Sequence, residues 1–282
     1  MERRRFLGML AAAPLVKACG GELPPEAPLA LGTLEPRRTL VRGWLDMYFL
    51  ASEAAPPGAP ALVLVHGSGL SGRYMIPTAR ELTGEFRVYV PDLPGYGFSG
   101  DPGAALGVPQ LADWLAAWMD AIGLASASLL GNSFGCQVIA DLAARYPERV
   151  ERALLQGPTT PPEERSGFWQ FVRWRQNQRW NPDWLGPVTM IDYRHAGLWR
   201  MTRNFHFQLT DRIEDKMPLI RAPVLVIRGE HDPITHQEFA QMLASLAPRG
   251  EVAVIPDVAH TLVSVAPVEL AQITRDYMAR TV

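Results

Sequence analysis

Four short apolar runs constrain this chain more than any other feature: "ALVLVHG" (residues 61–67), "FRVYVPDLPG" (86–95), "SASLLGNS" (126–133) and "APVLVIRGE" (222–230). Each is apolar for most of its length and stops at glycine or proline, which suits a strand buried on both faces. Between them the period changes. Leu111, Trp114, Leu115, Trp118, Met119 and Ile122 recur three and four apart, giving a helix one apolar face. "FGCQVIADLAARYPERV" reads as a second helix, ended before Pro147. Two further strands, "ERALLQGP" and "GEVAVIPD", and two helical stretches, "HQEFAQMLASLAP" and "VELAQITRDYMAR", continue the alternation, and "TLVRGWLDMYFLAS" supplies one or two edge strands. Strand and helix in this rhythm predict an α/β fold: a mostly parallel central sheet flanked by helices on both faces.

One stretch breaks the rhythm. Between Pro158 and Pro223 no buried strand is visible, and the residues turn aromatic and basic, as in "FWQFVRWRQNQRWNPDWLG". We expect a helical cap over residues 158–221, inserted after a central strand. It would close over the strand ends where parallel sheets bind ligands. The core then comprises residues 39–157 and 222–282. A chain of 282 residues, 48% hydrophobic, can bury one substantial core. A net charge of −2 gives no electrostatic reason to expect nucleic acid.

Residues 1–20 read as an export signal rather than as part of the fold. Arg3-Arg4-Arg5 is followed by an apolar run, Phe6 to Val16, too short to span a bilayer, and then by small residues. Arg3-Arg4-Arg5-Phe6-Leu7 resembles the twin-arginine export pattern. "VKAC" before Gly20-Gly21 resembles a lipobox with Cys19 as the lipidated residue, although Lys17 departs from it. Val16-Lys17-Ala18 serves equally well as a cleavage site that leaves Cys19 unmodified. The expected address is periplasmic, or lipid-anchored through Cys19, and cytoplasmic if the signal does not operate. Residues 21–38, rich in proline, read as a tether. No structural disulfide is expected of Cys19 and Cys136, the two cysteines.

Chemistry concentrates on "LLGNSFGCQ". Ser133 sits between Gly131 and Gly135, with an apolar strand before it and an amphipathic helix after it. That context makes it a nucleophile on a sharp strand-to-helix turn, with glycines where backbones must pass closely. A serine needs a base, and the base an orienting acid. "VLVIRGEHDPIT" places Asp232 just past a buried strand, and "VAVIPDVAHTL" places His260 after the next. Glu230 and Asp257 are rival acids; Asp232 lies further into its loop, where it can turn towards the histidine. Phe134, directly after the serine, and Ser68 or Gly69 in "HGSGLSG" would offer backbone N–H groups to an oxyanion. His66 and Asp92 read as loop-fixing groups, and Cys136 as packing. In the cap, Trp169, Arg173, Trp174 and Trp199 are candidates to line a substrate pocket, and Arg173, Arg175, Arg179, Arg194, Arg200 and Arg203 candidates to receive a carboxylate.

"LVLVHGSG", "VPDLPGYGFS", "LLGNSFG", "AARYPERV", "VLVIRGEHD" and "AHTL" together resemble the α/β-hydrolase superfamily, in its cap-bearing serine branch, from about Thr39 to the end. The resemblance implies Ser133, Asp232 and His260 as the triad, and no metal or cofactor. Serine at the turn disfavours the dehalogenase and epoxide-hydrolase members, which carry aspartate there. The turn is also similar to that of enzymes cleaving carbon–carbon bonds in aromatic ring-fission products, and of cofactor-free perhydrolases. The leading expectation is hydrolysis of a carboxylic ester or related carbonyl substrate through a Ser-His-Asp triad. Ring-fission-type cleavage, perhydrolysis and a catalytically silent binding protein are the alternatives.

Overall fold

The structure, a computed structural model, describes residues 29–52 and 54–280. The export-signal reading, Cys19 included, and residues 21–28 of the tether lie outside them. Eight strands form one sheet: β1 (Glu35–Val41), β2 (Leu45–Ser52), β3 (Ala61–Val65), β4 (Arg87–Pro91), β5 (Ala127–Asn132), β6 (Val150–Gln156), β7 (Val224–Gly229) and β8 (Gly250–Ile255). Their order is β1-β2-β4-β3-β5-β6-β7-β8. The first two strands are antiparallel to each other, and β2 is antiparallel to β4; from β4 to β8 every pairing is parallel.

The first strand begins at Glu35, inside the segment read as tether. "EPRRTLV" carries a proline and two arginines, a composition that reads as a linker. An edge strand tolerates it, because one side of its ladder faces water. Arg38 is satisfied by Asp46 on β2 and by the Phe98 carbonyl at 3.2 Å, while Leu34 just ahead of the strand is buried.

The central strands divide their side chains between two apolar layers with the expected period of two. Val63 and Val65 of β3 and Leu129 of β5 join one layer; Leu62, Leu64 and Leu130 join the other. The first layer is closed by α2 (Val108–Ala121), α3 (Phe134–Arg145) and α8 (Gln237–Leu246), and the second by α1 (Ile76–Leu82) and α10 (Pro267–Met278). Leu111, Leu115, Trp118 and Met119 of α2 are fully buried, and Trp118 meets Phe49 edge-on at 5.4 Å. Each such side chain contributes roughly 1.5–3 kcal/mol. A short helix, α9 (Leu262–Val265), leads into α10.

Between β6 and β7 the chain forms α4 (Gly167–Asn177), α5 (Leu185–Ala196), α6 (Leu198–Thr210) and the single turn α7 (Ile213–Lys216), with no strand. Two of these helices reverse the usual amphipathy. The buried residues of α4 are Gln170 and Asn177; those of α6 are Arg200, Asn204 and Gln208. Phe168, Trp169, Leu198 and Trp199 face outward.

Candidate active site

Parallel strands present their C-terminal ends on one edge, and the loops leaving β3, β5, β7 and β8 meet there. Ser133 joins β5 directly to α3 and holds φ 56°, ψ −118°, a conformation that costs a non-glycine residue about 1–3 kcal/mol. Its neighbours explain how the turn closes. A Cβ at Gly135 would lie 2.4 Å from the Val65 carbonyl oxygen, and one at Gly131 would lie 2.8 Å from the Gly135 carbonyl carbon. Neither position accepts a side chain without moving backbone. The Ser133 N–H donates to the Gln156 carbonyl at 2.9 Å, which ties the turn to the end of β6. Cys136 is buried behind the turn, where its thiol donates to the carbonyls of Gly131 and Gln156, both at 3.3 Å; burial pushes it well above its ordinary pKa.

Asp232 and His260 meet across the ends of β7 and β8. His260 Nδ1 lies 2.9 Å from Asp232 Oδ2, and both residues are buried. The other carboxylate oxygen accepts the N–H groups of Ile234 at 2.8 Å and Thr235 at 2.9 Å. Burial alone would raise this carboxyl; the charge and hydrogen bond of His260, with the two amides, outweigh it and hold the group below its ordinary value. Asp232 is therefore an acceptor for Nδ1–H, leaving Nε2 as the unprotonated nitrogen. His260 Nε2 is buried and makes no hydrogen bond among the described residues. Room for the ring comes from Gly157, where a Cβ would stand 2.8 Å from His260 Cε1. The rival acids lie elsewhere: Glu230 and Asp257 are exposed and joined by a bond from the Asp257 N–H to Glu230. With His231 they could reach one cation, the ligand atoms all lying within 4.8 Å, but that trio is on the surface and excludes Asp232 and His260.

The loop after β3 lies against the Ser133 turn, since a Cβ at Gly67 would sit 3.3 Å from that of Ser133. Phe134 opens α3, so its N–H has no acceptor within the helix. Gly69 has φ +71° and lies under the Tyr193 ring, which a Cβ there would approach to 3.1 Å. The Ser68 hydroxyl donates to Asn204 of α6. His66 is spent on its own loop: Nε2 accepts the Leu93 N–H at 3.0 Å, and Nδ1 lies 2.9 Å from the Gly67 carbonyl. Burial drives its pKa down to about 4, so it is neutral. Asp92 accepts from the N–H groups of Gly72 at 2.6 Å and Phe98 at 2.8 Å, and burial raises it to about 7.

The cap candidates have other occupations. Arg173 pairs with Glu164, which also takes His236 Nε2 at 3.1 Å. Trp169 is 41% exposed beneath the Arg173 guanidinium, and Trp174 packs on Phe171. Trp199 is 60% exposed on the wall of a surface hollow, next to Arg200, which pairs with Asp101. Arg175 and Arg179 line a second hollow beside Phe171 and Val172, and Arg203 lies over Phe207. Among the described residues none of the four named cap candidates bonds to Ser133, Asp232 or His260. Arg173 and Arg200 find nearby carboxylates, and Phe168, Trp169 and Trp199 face outward. Cap residues that hydrogen-bond the loops carrying His260 and Ser68 include Asn177, on the His260 N–H at 3.0 Å, Asn181, on the Thr261 hydroxyl at 2.8 Å, and Asn204, on Ser68. Asp192 joins them, accepting from the Ser71 N–H at 3.0 Å.

The sequence model of a family described as "Alpha/beta hydrolase family" matches residues 62–273, most of the chain. The chain belongs to the alpha/beta hydrolase family. Among the relatives of this alpha/beta hydrolase, the carboxylesterase YbfK of Bacillus subtilis (strain 168) is 28% identical over 233 residues, 74% of this chain and 77% of that protein. Its crystal structure superposes with a TM-score of 0.69 at 21% identity, covering 99% of each chain. A 2-hydroxy-6-oxo-2,4-heptadienoate hydrolase of Pseudomonas putida is 40% identical, but over 103 residues, 34% of this chain and 36% of that protein. The crystal structure of a membrane phospholipase A, a bacterial virulence factor, gives a TM-score of 0.74 at 24% identity and covers 89% of this chain and 88% of that one. It shares the fold.

Proposed function

We propose that this hydrolase is a carboxylesterase-type enzyme that cleaves a carboxylic ester through an acyl-enzyme on Ser133. The observation that carries the reading is the buried Asp232–His260 pair, which leaves a buried, unbonded Nε2 at the strand edge where Ser133 is held in a strained turn. His260 Nε2 takes the Ser133 proton as Oγ bonds to the ester carbonyl carbon. The negative charge on the carbonyl oxygen is met by the N–H groups of Phe134 and of Ser68 or Gly69. The imidazolium returns its proton to the departing alkoxide, leaving the acyl-enzyme. Water, deprotonated by the same nitrogen, then releases the acid. The steps use the chain's own residues throughout.

Similarity to a carboxylesterase over three quarters of the chain supports an ester substrate. The local likeness to a ring-fission hydrolase stops at about a third of the chain, and Arg165, Arg173 and Arg200 are engaged by Glu214, Glu164 and Asp101 rather than open to a substrate carboxylate. The basic and apolar N-terminal segment supports an exported enzyme, with Cys19 its candidate lipid attachment. Turnover of p-nitrophenyl acetate, butyrate and octanoate, measured beside Ser133→Ala, tests the reading. Activity in the parent that falls at least about 10³-fold in the variant is expected; equal rates in both would end it.

A further inference from the structure

The loop carrying His260 is held from two sides by different parts of the chain. From the sheet, Gln156 at the end of β6 donates Nε2 to the His260 carbonyl at 3.0 Å, while its Oε1 accepts from Asn132 at 2.6 Å. From the cap, Asn177 accepts the His260 N–H on Oδ1 at 3.0 Å. The peptide groups on both sides of the His260 α-carbon are thus fixed, one by the core and one by the insert. Asp232 then fixes the ring through Nδ1. One turn beyond Asn177, Asn181 extends the cap's hold to the Thr261 hydroxyl.

Asn177 is poorly explained as ordinary cap packing. It is the last residue of α4, it is buried, and Gln170 is the other buried residue of that helix. Gln170 turns inward to its own insert, donating to the Glu164 carbonyl at 3.2 Å. The inner end of α4 therefore engages the core through an amide aimed at the backbone of the base. A buried peptide N–H in this position requires an acceptor, and the cap supplies it.

We propose that Asn177 is a positioning residue through which the seated cap aligns His260, so that the insert helps set the catalytic rate as well as shaping the pocket. The inference rests on Ser133, His260 and Asp232 acting as proposed above. Misplacing a base by a fraction of an ångström to an ångström slows proton transfer without weakening substrate binding. The effect should therefore fall on kcat.

The test measures kcat and KM on p-nitrophenyl butyrate for the full chain carrying Asn177→Leu, Asn177→Asp or Ser133→Ala, with thermal melting of each. Asn177→Leu keeps the size and removes the acceptor; kcat should fall about 10- to 100-fold with KM within about threefold. Asn177→Asp keeps the acceptor at the same reach and should restore kcat to within about fivefold of the parent. Should Asn177→Leu fail to melt cooperatively, Asn177→Ser, too short to reach the His260 N–H, takes its place under the same criteria. Parent-like kcat in the variant lacking the acceptor, a loss confined to KM, or equal damage from Asn177→Asp would each overturn the proposal. A fully active Ser133→Ala would remove the triad reading beneath it. An inactive Ser133→Ala beside unaffected Asn177 variants would overturn the positioning role alone.

Discussion

The core and two helices of the cap, α4 and α6, obey opposite rules about which side chains go inside. In the core, Leu62 and Val63 alternate between two apolar layers, and buried polar groups such as Asp92 and Asp232 are held by nearby backbone N–H groups. In α4 and α6 the buried residues are amides and an arginine, while Phe168, Trp169 and Trp199 face outward. The difference follows from what each element packs against. Core helices cover a sheet made of valine and leucine, whereas the end of α4 and the middle of α6 face loops whose peptide groups and hydroxyls need partners. Asn177 and Asn204, buried in these two helices, thus find their partners in the loops that carry His260 and Ser68.

The sharpest way to break this comparison is to remove the group on which the core side of the site depends. Asp232→Asn should lower kcat about 10⁴-fold, since an asparagine cannot hold the histidine tautomer that leaves Nε2 free to accept. Glu230→Gln and Asp257→Asn, altering exposed acids of the neighbouring loops, should stay within about twofold of the parent. Steady-state kinetics on one p-nitrophenyl ester decides it, and comparable losses from the exposed acids would mean that the wrong carboxylate has been assigned to His260.

Backbone crowding gives the next largest effect. Gly135→Ala places a methyl 2.4 Å from the Val65 carbonyl oxygen, so strand β3 or helix α3 must move. We expect a loss of about 3 kcal/mol or more in urea unfolding, together with loss of activity. A variant as stable as the parent would show that the turn is looser than this packing requires.

The same contrast explains what could be read from the chain alone. The Ser133 turn and the pairing of Asp232 with His260 were legible because glycines, apolar strands and chain order all constrain the loops that carry them. The parallel sheet was legible because a strand buried on both faces has no polar alternation to confuse it. The start of β1 at Glu35 was hidden, since an edge strand accepts the proline and arginines that also mark a linker. Asn177, Asn181 and Asn204 were hidden for a different reason. Amides in an aromatic and basic insert carry no periodic signal, and what they bond to is set by loops some 80 to 136 residues away in sequence. The bulkier tryptophans and arginines drew attention instead, and those pair locally or face water.

Two buried groups within the core side titrate in opposite directions, which sharpens the comparison through pH. Burial lowers His66 from its ordinary 6.5 to about 4, so between those values the unfolded chain binds a proton that the folded chain does not, and stability is lost as pH falls. Burial raises Asp92 from 3.8 to about 7, so across that range the folded chain binds the extra proton and stability is gained as pH falls. Each contributes about 3–4 kcal/mol over its window, and the two largely offset each other in the parent. Urea titrations from pH 7 to pH 4 should show His66→Gln gaining stability towards acid and Asp92→Asn losing it. Slopes of the same sign in both variants would contradict the assignment of at least one group.

The smallest expected effect tests the cap. Gly186 lies in α5 with open space where a Cβ would project and no positive φ, so Gly186→Ala meets no obstacle. Alanine restricts the unfolded chain and favours helix, worth about 0.5–1 kcal/mol of added stability. The same substitution is therefore predicted to stabilise at position 186 and to destabilise at position 135. If the insert melts together with the sheet, the gain should appear in the main unfolding transition. If the gain appears in an earlier, separate transition, the cap opens on its own, and the hydrogen bond from His260 to Asn177 breaks before the core does.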